Sequence, residues 1–456
     1  MIFSRKLFFG GFVFLLCLIT LPSNAKTTAN SSIEKRYVQI CPKLASPIIL
    51  TNQQSHNYLE VSLIGDKFES AEQRPPINLA LVIDQSSSME GERIKKARDA
   101  AIMAINLLTE SDTISVIVYD DEAKVLIPAT KVTNKEQLIN TINKKIETNS
   151  MSALFAGLSK GINQVDKYLN KTTVNRIILL SDGQTNIGPT SIGELSELAM
   201  IAARKNIAIT TIGLGTDYNE SLMASIAEYS DGNHVFVDDS TNLENVFTNE
   251  FADIMSVIAQ EVTVTITLNN NVRPIRLLGR NGIINGNTVH VNINQLYSNQ
   301  EKYILLELQP EQSKQNSRKT IAKIDVTYQD LINKTRQHYQ DDVIIVYTTN
   351  PKSVKKSQNE HVMADVSIQQ ATMINEDALM LYNQGLVVEA KGRLQQNTNK
   401  LKAIVKGFAS SKAKLKANQQ IQKNQIMIDC IDTKDAEYYR KLVTEMQYNA
   451  KQGNIK

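Results

Sequence analysis

Histidine is scarce in this chain and does not cluster. Its five histidines, His56, His234, His290, His338 and His361, fall in different segments, with no His-Glu-x-x-His helix and no Gly-x-Ser-x-Gly elbow. The zinc-hydrolase and serine-hydrolase signatures are therefore missing. Excess charge is missing too: 50 Lys and Arg stand against 47 Asp and Glu, a formal net charge of +3, which leaves no electrostatic footprint for nucleic acid. The lysine groups at Lys355 and Lys356 and at Lys412, Lys414 and Lys416 read as solvated faces. A dinucleotide fingerprint is lacking, because Gly213-Leu-Gly215 is followed by Thr216-Asp-Tyr218 without a third glycine. Cysteine is limited to three residues.

The N-terminus carries the three parts of a secretory signal: basic Arg5 and Lys6, an apolar region from Leu7 to Leu21, and the small-residue exit Ser23-Asn24-Ala25. Cleavage after Ala25 places the protein in the periplasm, the cell envelope or outside the cell. The alternative is an uncleaved anchor that ties it to a membrane, for which the apolar region is short. Leu15 and Leu16 precede Cys17, where a lipoprotein signal needs small residues. After cleavage Cys41 and Cys430 remain. In an oxidising compartment they can pair and tie the N-terminal segment to the C-terminal helices, with two separate thiols as the equal alternative.

The chain is organised around Asn78-Leu-Ala-Leu-Val-Ile-Asp-Gln-Ser-Ser-Ser-Met89, an apolar run that stops at an aspartate followed by hydroxyls. A run without polar alternation suits a strand covered on both faces, and sheets of that kind place ligands beyond their carboxyl ends. Asp84, Ser86 and Ser88 offer oxygen alone, the donor set that hard cations prefer. The competing reading makes them caps of the helix that starts near Glu90. A second apolar run, Arg176-Ile-Ile-Leu-Leu-Ser-Asp-Gly183, also ends in an aspartate, Asp182. Between the two, Asn149-Ser-Met-Ser-Ala-Leu-Phe-Ala-Gly-Leu158 opens a helix with hydroxyls and can bring Ser152 to the same edge.

Period and breaks in the pattern predict a doubly wound, mainly parallel α/β domain over residues 77–258. Its strands are expected at 78–83, 175–181, 207–213 and 234–237, with an antiparallel hairpin at 113–128 and helices between them. Period-two segments flank it: Leu59, Val61 and Leu63 on one side, and Val262, Val264, Ile266 and Leu268 with later strands on the other. The α/β domain is therefore expected as an insertion in a β-sandwich built from 46–76 and 259–349. The remainder divides into a polar lead at 26–45, a linker at 350–364, and helices over 365–456 that are expected to pack on the sandwich.

On these residues the domain resembles a von Willebrand factor type A domain. Asp84-Gln-Ser86-Ser-Ser88, Ser152 and Asp182 in Ser181-Asp-Gly183 resemble its metal-ion-dependent adhesion site. The resemblance implies Mg2+, or Mn2+ or Ca2+ in its place, held by Asp84, Ser86, Ser88, Ser152 and Asp182, with a partner's Asp or Glu carboxylate completing the coordination. Serine stands at 152 where the family has threonine, and Ser87 where many members have glycine; Thr148 and Ser150 are neighbouring candidates for the hydroxyl. The resulting expectation is an exported, non-enzymatic protein-binding module. An envelope scaffold with a vestigial site and an unrecognised hydrolase are the alternatives.

Overall fold

The computed structural model describes residues 35–433, apart from 52, 54, 68–73, 149, 150, 216, 217 and 238–242, together with Val443. The expected signal lies outside the described residues, in a separate unit, Met1–Lys35, while every element below belongs to Arg36–Lys456. Three strands come first: β1 (Val38–Leu44), β2 (Ile48–Leu50) and β3 (Asn57–Gly65). β1 falls inside the stretch read from sequence as a polar lead. It is an edge strand, and its Pro42 and Lys43 break the alternation that would have revealed it, as edge strands commonly do.

The inserted domain runs β4 (Ile77–Asp84), α1 (Glu92–Leu107), β5 (Thr113–Tyr119), β6 (Ala123–Lys131), α2 (Lys135–Lys145) and α3 (Leu154–Asp166). It continues with β7 (Val174–Ser181), α4 (Ile192–Arg204), β8 (Ala208–Leu214), α5 (Glu220–Tyr229), β9 (His234–Val237) and α6 (Leu243–Met255). Its six strands lie in the order β6-β5-β4-β7-β8-β9. All neighbours are parallel except the edge pair β5 and β6. The apolar run of β4 explains its central place. Leu79, Leu81 and Ile83 face one helical layer, containing α1 and α6, and Ala80 and Val82 face the other, with α3, α4 and α5. Leu79, Leu81, Val82 and Ile83 are fully buried, each such side chain contributing about 1.5–3 kcal/mol.

The chain then returns through β10 (Val257–Leu268), β11 (Val272–Leu278), β12 (Ile283–Asn285), β13 (Thr288–Tyr297), β14 (Glu301–Pro310), β15 (Arg318–Asp330) and β16 (Thr335–Thr348). One sheet has the order β1-β3-β14-β11 and the other β12-β13-β10-β15-β16-β2. Leu59, Val61, Leu63, Ile304 and Leu306 of the first share a core with Val264, Ile266, Val291 and Ile324 of the second. This is the expected sandwich, interrupted between β3 and β10 by the α/β domain.

Helices α7 (Pro351–Ser357), α8 (Glu360–Asn383), α9 (Val387–Gly407) and α10 (Ser411–Thr433) follow. The stretch read as a linker forms α7, because Pro351 sits at the first helical position and Asn350 caps it by accepting from Lys352 N. Val362 and Val366 of α8 pack with Ala45, Leu278, Tyr303 and Leu305 on the outer face of the four-stranded sheet. The polar face of β3 is therefore covered as well, and Glu60 and Ser62 are buried. Cys41 pairs in register with Ser62 on the sheet, whereas Cys430 packs with Ala378, Ala390 and Leu394 among the helices. The two cysteines form no disulfide with each other.

Candidate functional site

β4 and β7 are parallel neighbours, so their carboxyl ends present Asp84 and Asp182 at one edge. β5 lies on the other side of β4, and its last residue, Tyr119, is in register with Asp84. Helix α3 closes over this edge because it carries glycines where it meets the sheet. A Cβ at Gly157 would lie 2.4 Å from the Tyr119 ring, and one at Gly161 would lie 2.7 Å from Val82 Cγ2. That close approach sets Ser152, just ahead of α3, against Asp84.

The structure brings all five expected residues to this edge. Asp84 Oδ1 accepts from Ser86 N at 2.9 Å. Its Oδ2 accepts from the hydroxyls of Ser181 at 2.7 Å, Tyr119 at 3.0 Å and Ser152 at 3.4 Å. The Ser86 and Ser88 hydroxyls lie 3.0 Å apart. Burial raises the Asp84 pKa to about 6, with the donors from Ser86 and Ser181 working against it and the charge of Asp182 adding to it. Asp182 Oδ1 accepts from Gln184 N at 3.1 Å. Asp182 Oδ2 is buried and accepts no hydrogen bond among the described residues, with Arg93 Nη1 at 3.9 Å.

The capping alternative does not hold. Helix α1 is preceded by Gly91, and α3 by Ala153, and neither N-cap uses a side chain. The hydroxyls of Ser86, Ser88 and Ser152 are thus directed at the carboxylate edge instead of at helix ends. The Ser152 backbone is fixed from both sides: its N donates to Asn186 Oδ1 at 2.9 Å and its O accepts from Asn186 N at 3.0 Å. Of the neighbouring hydroxyl candidates, Ser150 lies outside the described residues.

Residues 78–249 match the family model of the von Willebrand factor type A domain. These residues form a von Willebrand factor type A domain. The chain is similar to the uncharacterized protein sll0103 of Synechocystis sp., 23% identical over 338 residues that cover 72% of this chain and 77% of the relative. It is also similar to the uncharacterized protein YfbK of Escherichia coli (strain K12), 25% identical over 218 residues, 47% of this chain; the match spans 38% of that relative's length. Among solved structures, a von Willebrand factor type A protein from Catenulispora acidiphila superimposes with a TM-score of 0.69 at 12% identity, covering 92% of this chain and 98% of that one. At that identity the likeness shows a shared fold.

Three residues at the A-domain edge escaped the sequence reading. Tyr119 and Ser181 hold Asp84, and Arg93 lies beside Asp182 while donating to the Ser88 carbonyl at 2.9 Å. Tyr119 ends an apolar strand as Asp84 does, so a register argument would have found it. Ser181 was visible next to Asp182. Among the described residues no three His, Cys, Asp or Glu side chains gather as a metal-binding group; the A-domain edge combines its two carboxylates with hydroxyls instead. The acidic turn at residues 120–122 has a structural task, since Asp121 Oδ1 accepts from Met151 N at 3.0 Å and so fixes the approach to Ser152. His234 is enclosed, with ring nitrogens 2.9 Å from Thr211 Oγ1 and 3.1 Å from Tyr218 Oη, and burial lowers its pKa to about 4. No described helix is long and apolar enough to cross a membrane.

Proposed function

We propose that the A domain is a cation-dependent protein-binding module of an exported protein. The observation that carries this reading is Asp182 Oδ2, a buried carboxylate oxygen without a hydrogen-bond donor among the described residues, close enough to Asp84 for the two charges to interact. An unsatisfied buried charge is costly unless an ion compensates it, and an all-oxygen donor set suits a hard divalent ion. Asp84, Ser86, Ser88, Ser152 and Asp182 would hold Mg2+, or Mn2+ or Ca2+ in its place. Such an ion would supply a positive centre able to take an Asp or Glu carboxylate from a protein partner.

The chain's own residues orient that centre. Ser181 and Tyr119 lock Asp84 Oδ2, and Ser88 is half-exposed at the opening, with Met151, 48% exposed, next to Ser152 in sequence. Hydrolysis is less well supported, because a nucleophilic serine needs a base within reach. The Ser86, Ser152 and Ser181 hydroxyls bond to Ser88 or to Asp84. His56, His234, His290 and His338 bond to Glu307, Thr211, Thr265 and Asp325.

Magnesium titration by calorimetry is expected to show saturable binding, weakened at least about tenfold by Asp182→Asn. A pull-down from envelope extract is expected to lose its partner in EDTA and with the same variant. An identical pull-down under all three conditions would sink the mechanism. A melting temperature indifferent to magnesium would favour a scaffold with a vestigial site.

A further inference from the structure

The Ser152 hydroxyl is only weakly restrained by its own bond. Its Oγ donates to Asp84 Oδ2 at 3.4 Å, a long contact, and serine lacks the methyl that restricts the χ1 of threonine. Its place at the A-domain edge therefore comes through the backbone. Three successive N–H groups hold that backbone. Met151 N donates to Asp121 Oδ1 at 3.0 Å and Ala153 N donates to Asp120 O at 2.8 Å, both in the turn between β5 and β6. Ser152 N goes instead to Asn186 Oδ1, at 2.9 Å. Asn186 stands in the loop that follows Asp182, and its side-chain carbonyl takes the part of a backbone acceptor. With Asn186 N donating to Ser152 O at 3.0 Å, the two residues exchange a pair of hydrogen bonds as opposed residues of an antiparallel sheet do.

Ile187 N and Thr185 Oγ1, each at 3.2 Å, reach the same Ser152 carbonyl. At its other end this loop is tied to the carboxylate residue. Asp182 Oδ1 accepts from Gln184 N at 3.1 Å, and Asp182 O accepts from Asn219 N at 2.9 Å. Gly183, at φ +67°, makes the turn between Asp182 and the loop, a conformation that glycine adopts without strain. We infer that Asn186 is the positioning residue of the cation site: it fixes Ser152 relative to Asp182, so that a hydroxyl and a carboxylate carried on separate segments converge on one ion. The inference rests on the cation-binding reading above. Asn186 acts through the Ser152 backbone and not as a ligand, and partners of that kind change metal affinity by about 10–100-fold.

Asn186 is exposed, so its substitution opens no core cavity. Magnesium binding is measured by calorimetry on the full chain, and hydrogen exchange across residues 151–153 is followed by mass spectrometry without metal. For Asn186→Ala the expected result is magnesium bound about tenfold more weakly, with faster exchange at the Ser152 amide. Asn186→Asp keeps the accepting oxygen, so it should restore slow exchange and bind magnesium at least as tightly as the parent. Ser152→Ala should also weaken magnesium binding. Adding Asn186→Ala to it should weaken binding no further, because both substitutions act through one hydroxyl. Parent-like magnesium affinity in Asn186→Ala would overturn the inference, as would full additivity of the two substitutions. Absence of magnesium binding by the unsubstituted protein would remove the cation reading itself and this inference with it, a failure seen before any variant is compared. A circular dichroism spectrum and melting curve matching the parent show that each variant is folded.

Discussion

Asp231→Asn is expected to destabilise the protein by about 3–5 kcal/mol, the usual cost of removing one partner from a buried ionic group. Asp231 lies between α5 and β9 of the A domain, and its carboxylate reaches into the sandwich. Oδ1 is 3.1 Å from Arg280 Nη1; Oδ2 is 3.5 Å from Lys302 Nζ and accepts from Asn294 N at 2.7 Å. Burial alone would raise its pKa, but Lys302, Arg280 and the hydrogen bond from Asn294 N together hold it below its ordinary value. Lys302 is itself lowered to about 8, first by burial and then by the cations Arg280 and Arg176, with Asp231 opposing. Arg176, wholly buried in β7, donates to Gln295 and to the Tyr297 hydroxyl, both at 2.5 Å, on β13. Glu250, bonded to Asn233, is near enough to act on Tyr297.

Neutralising Asp231 leaves three cations at the junction with Glu250 as the acid that remains among those named. Because the cluster joins the A domain to the sandwich, calorimetry of the variant should show a lower melting temperature, by roughly 5 °C or more, and a transition that begins to split. A single unshifted transition would show that the cluster contributes little to the junction.

The sequence revealed the A domain because its central strands are buried on both faces and so read as unbroken apolar runs. The same runs, each ending in an aspartate, disclosed Asp84 and Asp182. What stayed hidden depends on distant partners. Arg176 looks like the start of an apolar strand, and that it is buried against Gln295 and Tyr297 follows from how the inserted domain seats on the sandwich. β1 and β11 carry Pro42 and Pro274, which mask strand periodicity. Arg93 looks like an ordinary basic residue in the first turn of a helix until Gly215, from another strand end, comes beneath it. On β3, alternation correctly marks Leu59, Val61 and Leu63 as one buried face. It says nothing of α8, some three hundred residues later, which buries Glu60 on the other.

That second face leads to the other large effect, a loss of stability as pH rises through about 7. Burial raises the Glu60 carboxyl pKa from 4.5 to about 7, and Asp365 and Glu301 add to the rise, while Ser62 and Lys416 oppose it. The groups around it come from three packed elements. Asp365 on α8 is raised by burial, against Lys416 of α10, which bonds it at 2.9 Å, and with Glu301 of β14 adding and His361 opposing. Tyr303 on β14 is pushed up by the same burial and carboxylates and accepts from Gln369 at 3.0 Å. Ser62 Oγ donates to Glu60 Oε1 at 3.0 Å, whereas Oε2 has no hydrogen-bond partner among the described residues.

The folded state therefore holds the Glu60 proton more tightly than the unfolded chain does. The stabilisation is fully present below pH about 4.5 and is lost as pH climbs through about 7, up to about 3 kcal/mol in all. Glu60→Gln keeps the shape and never ionises, so it should match the parent at pH 5 and exceed it at pH 8. Melting curves at those two values test this directly, and equal pH dependence in parent and variant would refute it. Hydrogen exchange adds the location: protection of α8 against β3 should weaken at pH 8 in the parent and persist in Glu60→Gln, since the carboxylate that ionises lies between those two elements.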